Sequence, residues 1–97
     1  MADKHTDKTG AQAVVRAGED QFTISVEGTQ VGLIDFHDRD GVRTFTHTEV
    51  DPAYGGRGLA TILVADALTA AKDSGLRIVS HCSMVTQYIA KHPEYQG

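Results

Sequence analysis

The stretch EVDPAYGGRGLATILVADALTAAKDSG, Glu49 to Gly75, sets a turn-forming lead-in and three glycines in four positions directly against a long apolar run. From Gly58 to Ser74 there is neither proline nor interior glycine, and Thr61, Asp66, Thr69 and Lys72/Asp73 mark a narrow polar stripe. That spacing predicts a helix of roughly 25 Å buried along a sheet. Gly75 stands where a left-handed C-terminal cap belongs. At the other end, the first N–H groups of a helix lack intrahelical acceptors, and the helix dipole places partial positive charge there. Gly55, Gly56 and Gly58 remove the Cβ atoms that would keep a phosphate from those donors, and Arg57 can add a charge-assisted contact at the rim. The plainer alternative is that the glycines only permit a tight strand-to-helix turn.

Two familiar phosphate loops do not fit. A Walker A loop needs Gly-Lys-Ser/Thr, whereas Leu59 follows Gly58. A dinucleotide fingerprint needs a small residue where Thr61 stands and an acidic residue about 20 positions on, where Ser80 and His81 stand.

Upstream of the loop the chain reads as short β runs. Phe22, Ile24 and Val26 alternate with polar residues, which fits a strand with one buried face. Glu27-Gly28-Thr29 supplies a turn, Val31 to Phe36 a further strand, Asp38-Arg39-Asp40-Gly41 a strong turn signal, and Val42 to Val50 a long strand. With Ala13 to Ala17 as an opening strand, four consecutive antiparallel strands form a meander. Downstream, Leu76 to Val79 reads as a fifth strand. Met84, Val85, Tyr88, Ile89 and His92 fall on one face of a second amphipathic helix, Ser83 to His92, which Pro93 ends. The expected class is α+β, in the order ββββαβα, with residues 1–10 a disordered polar tail and residues 11–97 a single domain.

At 97 residues the chain is long enough for one domain, and 40% hydrophobic with 23% charged residues is an ordinary globular composition. Thirteen acidic residues against nine basic ones, with no basic cluster, disfavour nucleic-acid binding, which rests largely on neutralising phosphates. No apolar run approaches the roughly 20 residues of a membrane span, and MADKHTDKTG is no signal peptide. A cytoplasmic protein, monomeric or weakly dimeric, is expected. Cys82 is the sole cysteine, so its thiol is free. Scattered histidines and one cysteine lack metal-ligand spacing, and no metal is expected.

A β meander running into a Gly-x-Gly/Ala loop and a long helix, then a strand and a last helix, resembles the GNAT superfamily of N-acetyltransferases. In the acetyl-CoA loop pattern of that family, Gln/Arg-x-x-Gly-x-Gly/Ala, this chain has Gly55, Gly56, Arg57, Gly58, Leu59 and Ala60. The last three match, and Gly55 stands where Gln or Arg is usual. The chain is most similar to the small single-domain branch, with His47-Thr48-Glu49-Val50 before the loop, Cys82 after the fifth strand and a closing His92-Pro93-Glu94-Tyr95. The resemblance covers roughly Val14 to Tyr95. It implies that amides from Gly56 to Thr61 hold a pyrophosphate and that backbone at Glu49 and Val50 lines the pantetheine and thioester, where two strands splay near Val50. It also implies an open acceptor side, because larger members carry N-terminal helices that shape that pocket and nothing between Met1 and Ile34 reads as a helix.

Three residues could carry chemistry. Cys82 precedes the last helix, whose dipole favours a thiolate. It could accept the acetyl group, protonate the departing CoA, or only fill space. His47 lies by strand alternation on the face of Phe45 and Glu49. It could take the proton of an attacking ammonium, or simply bond a neighbouring strand. Glu49 is a second candidate base. Tyr54 could cover ligand or surface, and His92 and Tyr95 are expected to fasten the C-terminus. The implied function is acetyl transfer from acetyl-CoA to an amine acceptor, protein amines included. The alternative is a non-catalytic CoA- or acyl-CoA-binding module acting with a partner protein.

Overall fold

A computed structural model describes residues 2–95. Strands β1 (Ala2–Thr6), β2 (Gln12–Ala17), β3 (Gln21–Val26), β4 (Thr29–Arg39) and β5 (Val42–Val50) lead through a 3₁₀ turn (Pro52–Tyr54) into helix α1 (Leu59–Asp73). Strand β6 (Arg77–Ser80), helix α2 (Ser83–Lys91) and a closing 3₁₀ turn (Pro93–Tyr95) complete the chain. The strands form one sheet in the order β1-β2-β3-β4-β5-β6. Neighbours are antiparallel except β5 and β6, because only that pair is joined by a helix long enough to carry the chain back across the sheet.

The meander therefore has five strands where the residue pattern predicted four. The extra strand, β1, falls in the segment expected to be disordered, of which Met1 lies outside the described residues. Ala2–Thr6 has no apolar alternation to advertise a strand. It is held instead by its backbone ladder to β2 and by a 2.6 Å bond from His5 Nε2 to Asp66 Oδ2 on α1. Polar side chains are no handicap on an edge strand.

One face of the sheet is apolar and is covered by α1. Val15, Phe22, Ile24, Ile34, Phe36 and Phe45 meet Leu59, Leu63, Val64, Ala67, Leu68 and Ala71, all buried. Burying each of the larger side chains contributes roughly 1.5–3 kcal/mol. Phe36 sits between Phe22 and Phe45, with centroids 5.5 and 6.0 Å away, and Arg43 closes that end of the core, its guanidinium 4.0 Å from the Phe36 centroid and paired with Asp38 at 2.7 and 2.8 Å. The helix ends as its sequence implied. Gly75, at φ 74°, allows Leu76 N–H to bond Ala71 O and Gly75 N–H to bond Lys72 O, the paired closure of a Schellman cap.

An irregularity in β5 sets the functional face. Phe36 pairs with Phe45 but the preceding Asp35 pairs with His47, so Thr46 is an inserted residue. Such a bulge reverses the alternation beyond it. Phe45 faces the core. After the bulge it is Thr48 that is buried there, while His47 and Glu49 stand exposed on the opposite face.

Candidate active site

The site begins where two strands part. β6 pairs with β5 only over Val42–Phe45, the last bond being His81 N–H to Phe45 O at 2.8 Å. Beyond it the chain turns into α2, so the Thr46–Val50 edge of β5 carries no β6 partner among the described residues. The opening reaches Val50 but starts four residues earlier, at the Thr46 bulge.

From Val50 the chain enters the glycine loop through a locally specified turn. Asp51 Oδ1 accepts the Ala53 N–H at 2.9 Å, and the Tyr54 and Gly55 amides bond back to Asp51 and Pro52. Gly56 and Gly58 both lie at φ 78°, in the left-handed region. The backbone thus needs glycine at these two positions, while Gly55 at φ −64° is ordinary extended backbone. A tight turn alone would account for that much. Any helix start leaves its first amides free, but here the row runs further back: the first helical bond is Ile62 N–H to Gly58 O, and among the described residues the amides of Gly56 and Arg57, as well as those of Gly58, Leu59, Ala60 and Thr61, have no hydrogen-bond partner. A Cβ added at Gly56 would meet nothing within 4 Å. At Gly58 the space is not open, since a Cβ there would stand 3.2 Å from Lys8 Cε; the bare amides and the open side at Gly56 make a cradle that could hold a diphosphate.

Cys82 is the N-cap of α2 and is 9% exposed, with its Sγ 3.3 Å from Thr48 Oγ1. Burial pushes the thiol up, but the Thr48 hydroxyl and the amides of Val85, Met84 and Thr48 outweigh it, leaving the pKa below the ordinary thiol value. The neutral thiol donates to Thr48. Once ionised, the sulfur accepts from the same hydroxyl.

His47 stands across β5 from Cys82. Its Nε2 lies 3.2 Å from Glu49 Oε2, with side chains 57% and 61% exposed. The strand thus separates the two candidate catalytic residues, one toward the helices and one toward the open face.

A sequence profile of the GCN5-related N-acetyltransferases matches residues 21–97. The chain belongs to that family. Among solved structures, it is similar to a GCN5-like protein from Staphylococcus aureus, with 25% identity and a TM-score of 0.64 over 84% of this chain and 81% of that one. It shares its fold with the ribosomal-protein-alanine N-acetyltransferase of Brucella melitensis biovar Abortus, at 20% identity and a TM-score of 0.57. That alignment covers 90% of this chain but 62% of the longer enzyme. No curated protein matches the sequence.

In this family member the amide cradle opens into a groove of about 240 Å³ between α1 and α2, lined by Ala60, Thr61, Val64, Met84, Tyr88 and His92 among others. Tyr88 and His92 stack at 4.2 Å. The closing turn folds onto α1, Tyr95 Oη lying 3.0 Å from Thr69 Oγ1. Tyr54 covers Arg57, whose guanidinium lies 4.8 Å from the ring. Among the described residues, strands and one 3₁₀ turn are all that precede α1, and no helix is long and apolar enough to cross a membrane.

The residue reading passed over Thr48, although it lies inside the His47–Val50 motif. Its partner is 34 positions away, beyond any local pattern. It also passed over Asp7, for which a local signal existed: an aspartate two before a threonine and three before a glycine is an Asx-turn signature.

Proposed function

We propose that this protein is an acetyl-CoA-dependent N-acetyltransferase whose acceptor is an amine reached from the open face of the sheet. The observation that carries this reading is the row of unpartnered amides from Gly56 to Thr61, set beside the edge of β5 that β6 leaves free. Gly56, Arg57, Gly58, Leu59, Ala60 and Thr61 would hold the diphosphate, with Gly55 setting the loop's approach. Backbone at Glu49 and Val50 would line the arm. Bound acetyl-CoA supplies an activated acyl thioester.

The chain's own groups then divide the proton work across β5. On the open face, Glu49 holds His47 through Nε2, which leaves Nδ1 to accept the proton of an ammonium acceptor. On the helix face, Cys82 Sγ carries a proton it can release, with the Thr48 hydroxyl and the start of α2 stabilising the charge left behind. Among the described residues no helix roofs the open face, which suits a large acceptor such as a protein amine.

A second reading has an observation of its own. His47 is mostly exposed and tied only to an exposed carboxylate, an arrangement with little pre-organisation, and this suits a CoA-binding module that works through a partner.

Calorimetry with CoA and CoA-release assays on amine and peptide panels separate the two. The enzyme reading expects saturable binding and turnover that falls in Cys82→Ala and His47→Ala. Binding without turnover on any acceptor selects the module. Absence of CoA binding overturns both.

A further inference from the structure

The family profile begins at Gln21, so β1, β2 and the strap joining them lie outside it, yet this strap touches the glycine loop. Lys8 N–H donates to Arg57 O at 3.0 Å. The Lys8 stem crosses Gly58 so closely that a Cβ there would stand 3.2 Å from Lys8 Cε. The ammonium follows one bond beyond, and among the described residues Lys8 makes no ion pair.

Beside it, Asp7 is sealed from solvent. Its Oδ1 accepts from Thr9 N–H at 2.8 Å, Thr9 Oγ1–H at 2.6 Å and Ala11 N–H at 3.0 Å. Its Oδ2 is buried without a hydrogen bond and lies 3.5 Å from Arg57 Nη1. A turn needs only the first oxygen, and burying a carboxylate with half its acceptors unused is costly. What the second oxygen does is hold the guanidinium, already flanked by Tyr54, against the strap.

Charge balance decides the rest. The Asp7–Arg57 pair is neutral together, and a helix N-terminus carries only about half a positive charge. In a chain of net charge −4, a diphosphate on this loop would otherwise meet little opposing charge. We propose that Lys8 is a ligand of the cofactor's diphosphate, delivered to the loop by the N-terminal strap, and that Asp7 is the positioning residue that fixes Lys8 and Arg57 there. This rests on reading the loop as a CoA site.

The test is calorimetric titration of CoA and 3′-dephospho-CoA into the wild type, Lys8→Ala, Lys8→Arg and Asp7→Asn, with melting curves of each free protein. Lys8→Ala should bind both ligands roughly fivefold more weakly at low salt, as for a partly exposed charge-assisted contact. That difference should shrink at high salt. Lys8→Arg should restore affinity, and the free Lys8→Ala protein should melt as the wild type does. Asp7→Asn should also weaken binding, and less so in a Lys8→Ala background, whereas its effect on free-protein melting should be equal in both backgrounds.

If the wild type binds CoA and Lys8→Ala binds it equally well, the strap proposal is wrong and the cofactor reading stands. A loss confined to CoA and absent for dephospho-CoA would place Lys8 on the 3′-phosphate and overturn the assignment. No binding by the wild type would remove the cofactor reading and this proposal together.

Discussion

Thr48 Oγ1 lies 3.3 Å from Cys82 Sγ, joining β5 to the N-cap of α2 at the point where β6 has stopped pairing. The contact makes the hydroxyl the first partner of a thiolate at Cys82 and opposes the effect of burial on that thiol. Thr48→Val removes the hydroxyl while keeping the shape. The pH midpoint for alkylation of Cys82 should move upward, with stability lowered by no more than about 1 kcal/mol. An unmoved midpoint would show that the amides of α2 alone set the thiol.

His47 and Glu49 should separate chemistry from folding. Both are exposed strand residues, and surface substitutions of this kind change stability by about 0.5 kcal/mol or less. If His47 is the base, His47→Gln should slow acceptor-dependent CoA release by about 10²–10⁴-fold, with Glu49→Gln less damaging. Melting temperature and turnover measured on the same samples decide the matter, since a parallel fall in both would mark a structural role.

The three loop glycines should respond differently to alanine. Gly56→Ala and Gly58→Ala force a side chain into the left-handed region and should each cost about 1–2 kcal/mol. That corresponds to a drop of roughly 4–8 °C in Tm per kcal/mol for a domain of this size. Gly55→Ala has ordinary backbone angles and a single contact, 3.3 Å from Pro52 O, and should cost less. Gly58→Glu should fold with a lowered Tm yet abolish CoA binding, because a carboxylate would stand among the phosphate donors. Retained binding would argue that the phosphate lies elsewhere.

Acid should unpick the strap. The Thr9 hydroxyl, helped by the Thr9 and Ala11 amides and by Arg57 and opposed by burial, holds the Asp7 carboxyl below its ordinary value of 3.8. A carboxylate whose folded pKa is depressed adds stability that is complete above the unfolded pKa and is lost as pH falls through the folded one. Asp7→Asn lacks this component. Its Tm should therefore lie below that of the wild type near about pH 6, and the gap should close as pH drops below about 4. Melting curves across that range check the sign, and a gap that widens in acid would contradict the assignment.

What could be read from the residues alone was local in origin. The polar stripe on α1, the Schellman closure at Gly75, the hairpin at Asp40-Gly41 and the bare loop at Gly56 and Gly58 each depend on side-chain spacing or backbone freedom within a few positions. So the α+β order and the phosphate-binding reading were accessible before any contact was known. Tertiary structure decided what depends on pairing between distant segments. The insertion of Thr46 opposite β4 turned His47 away from Phe45, and no alternation rule could anticipate it, because a bulge is defined by the partner strand's register. β1 exists because β2 and Asp66 offer bonds to a segment with no apolar signal of its own. The meeting of Cys82 with Thr48, and of Asp7 and Lys8 with the loop at Arg57, required the sheet to close first, since these residues have no short-range reason to find one another.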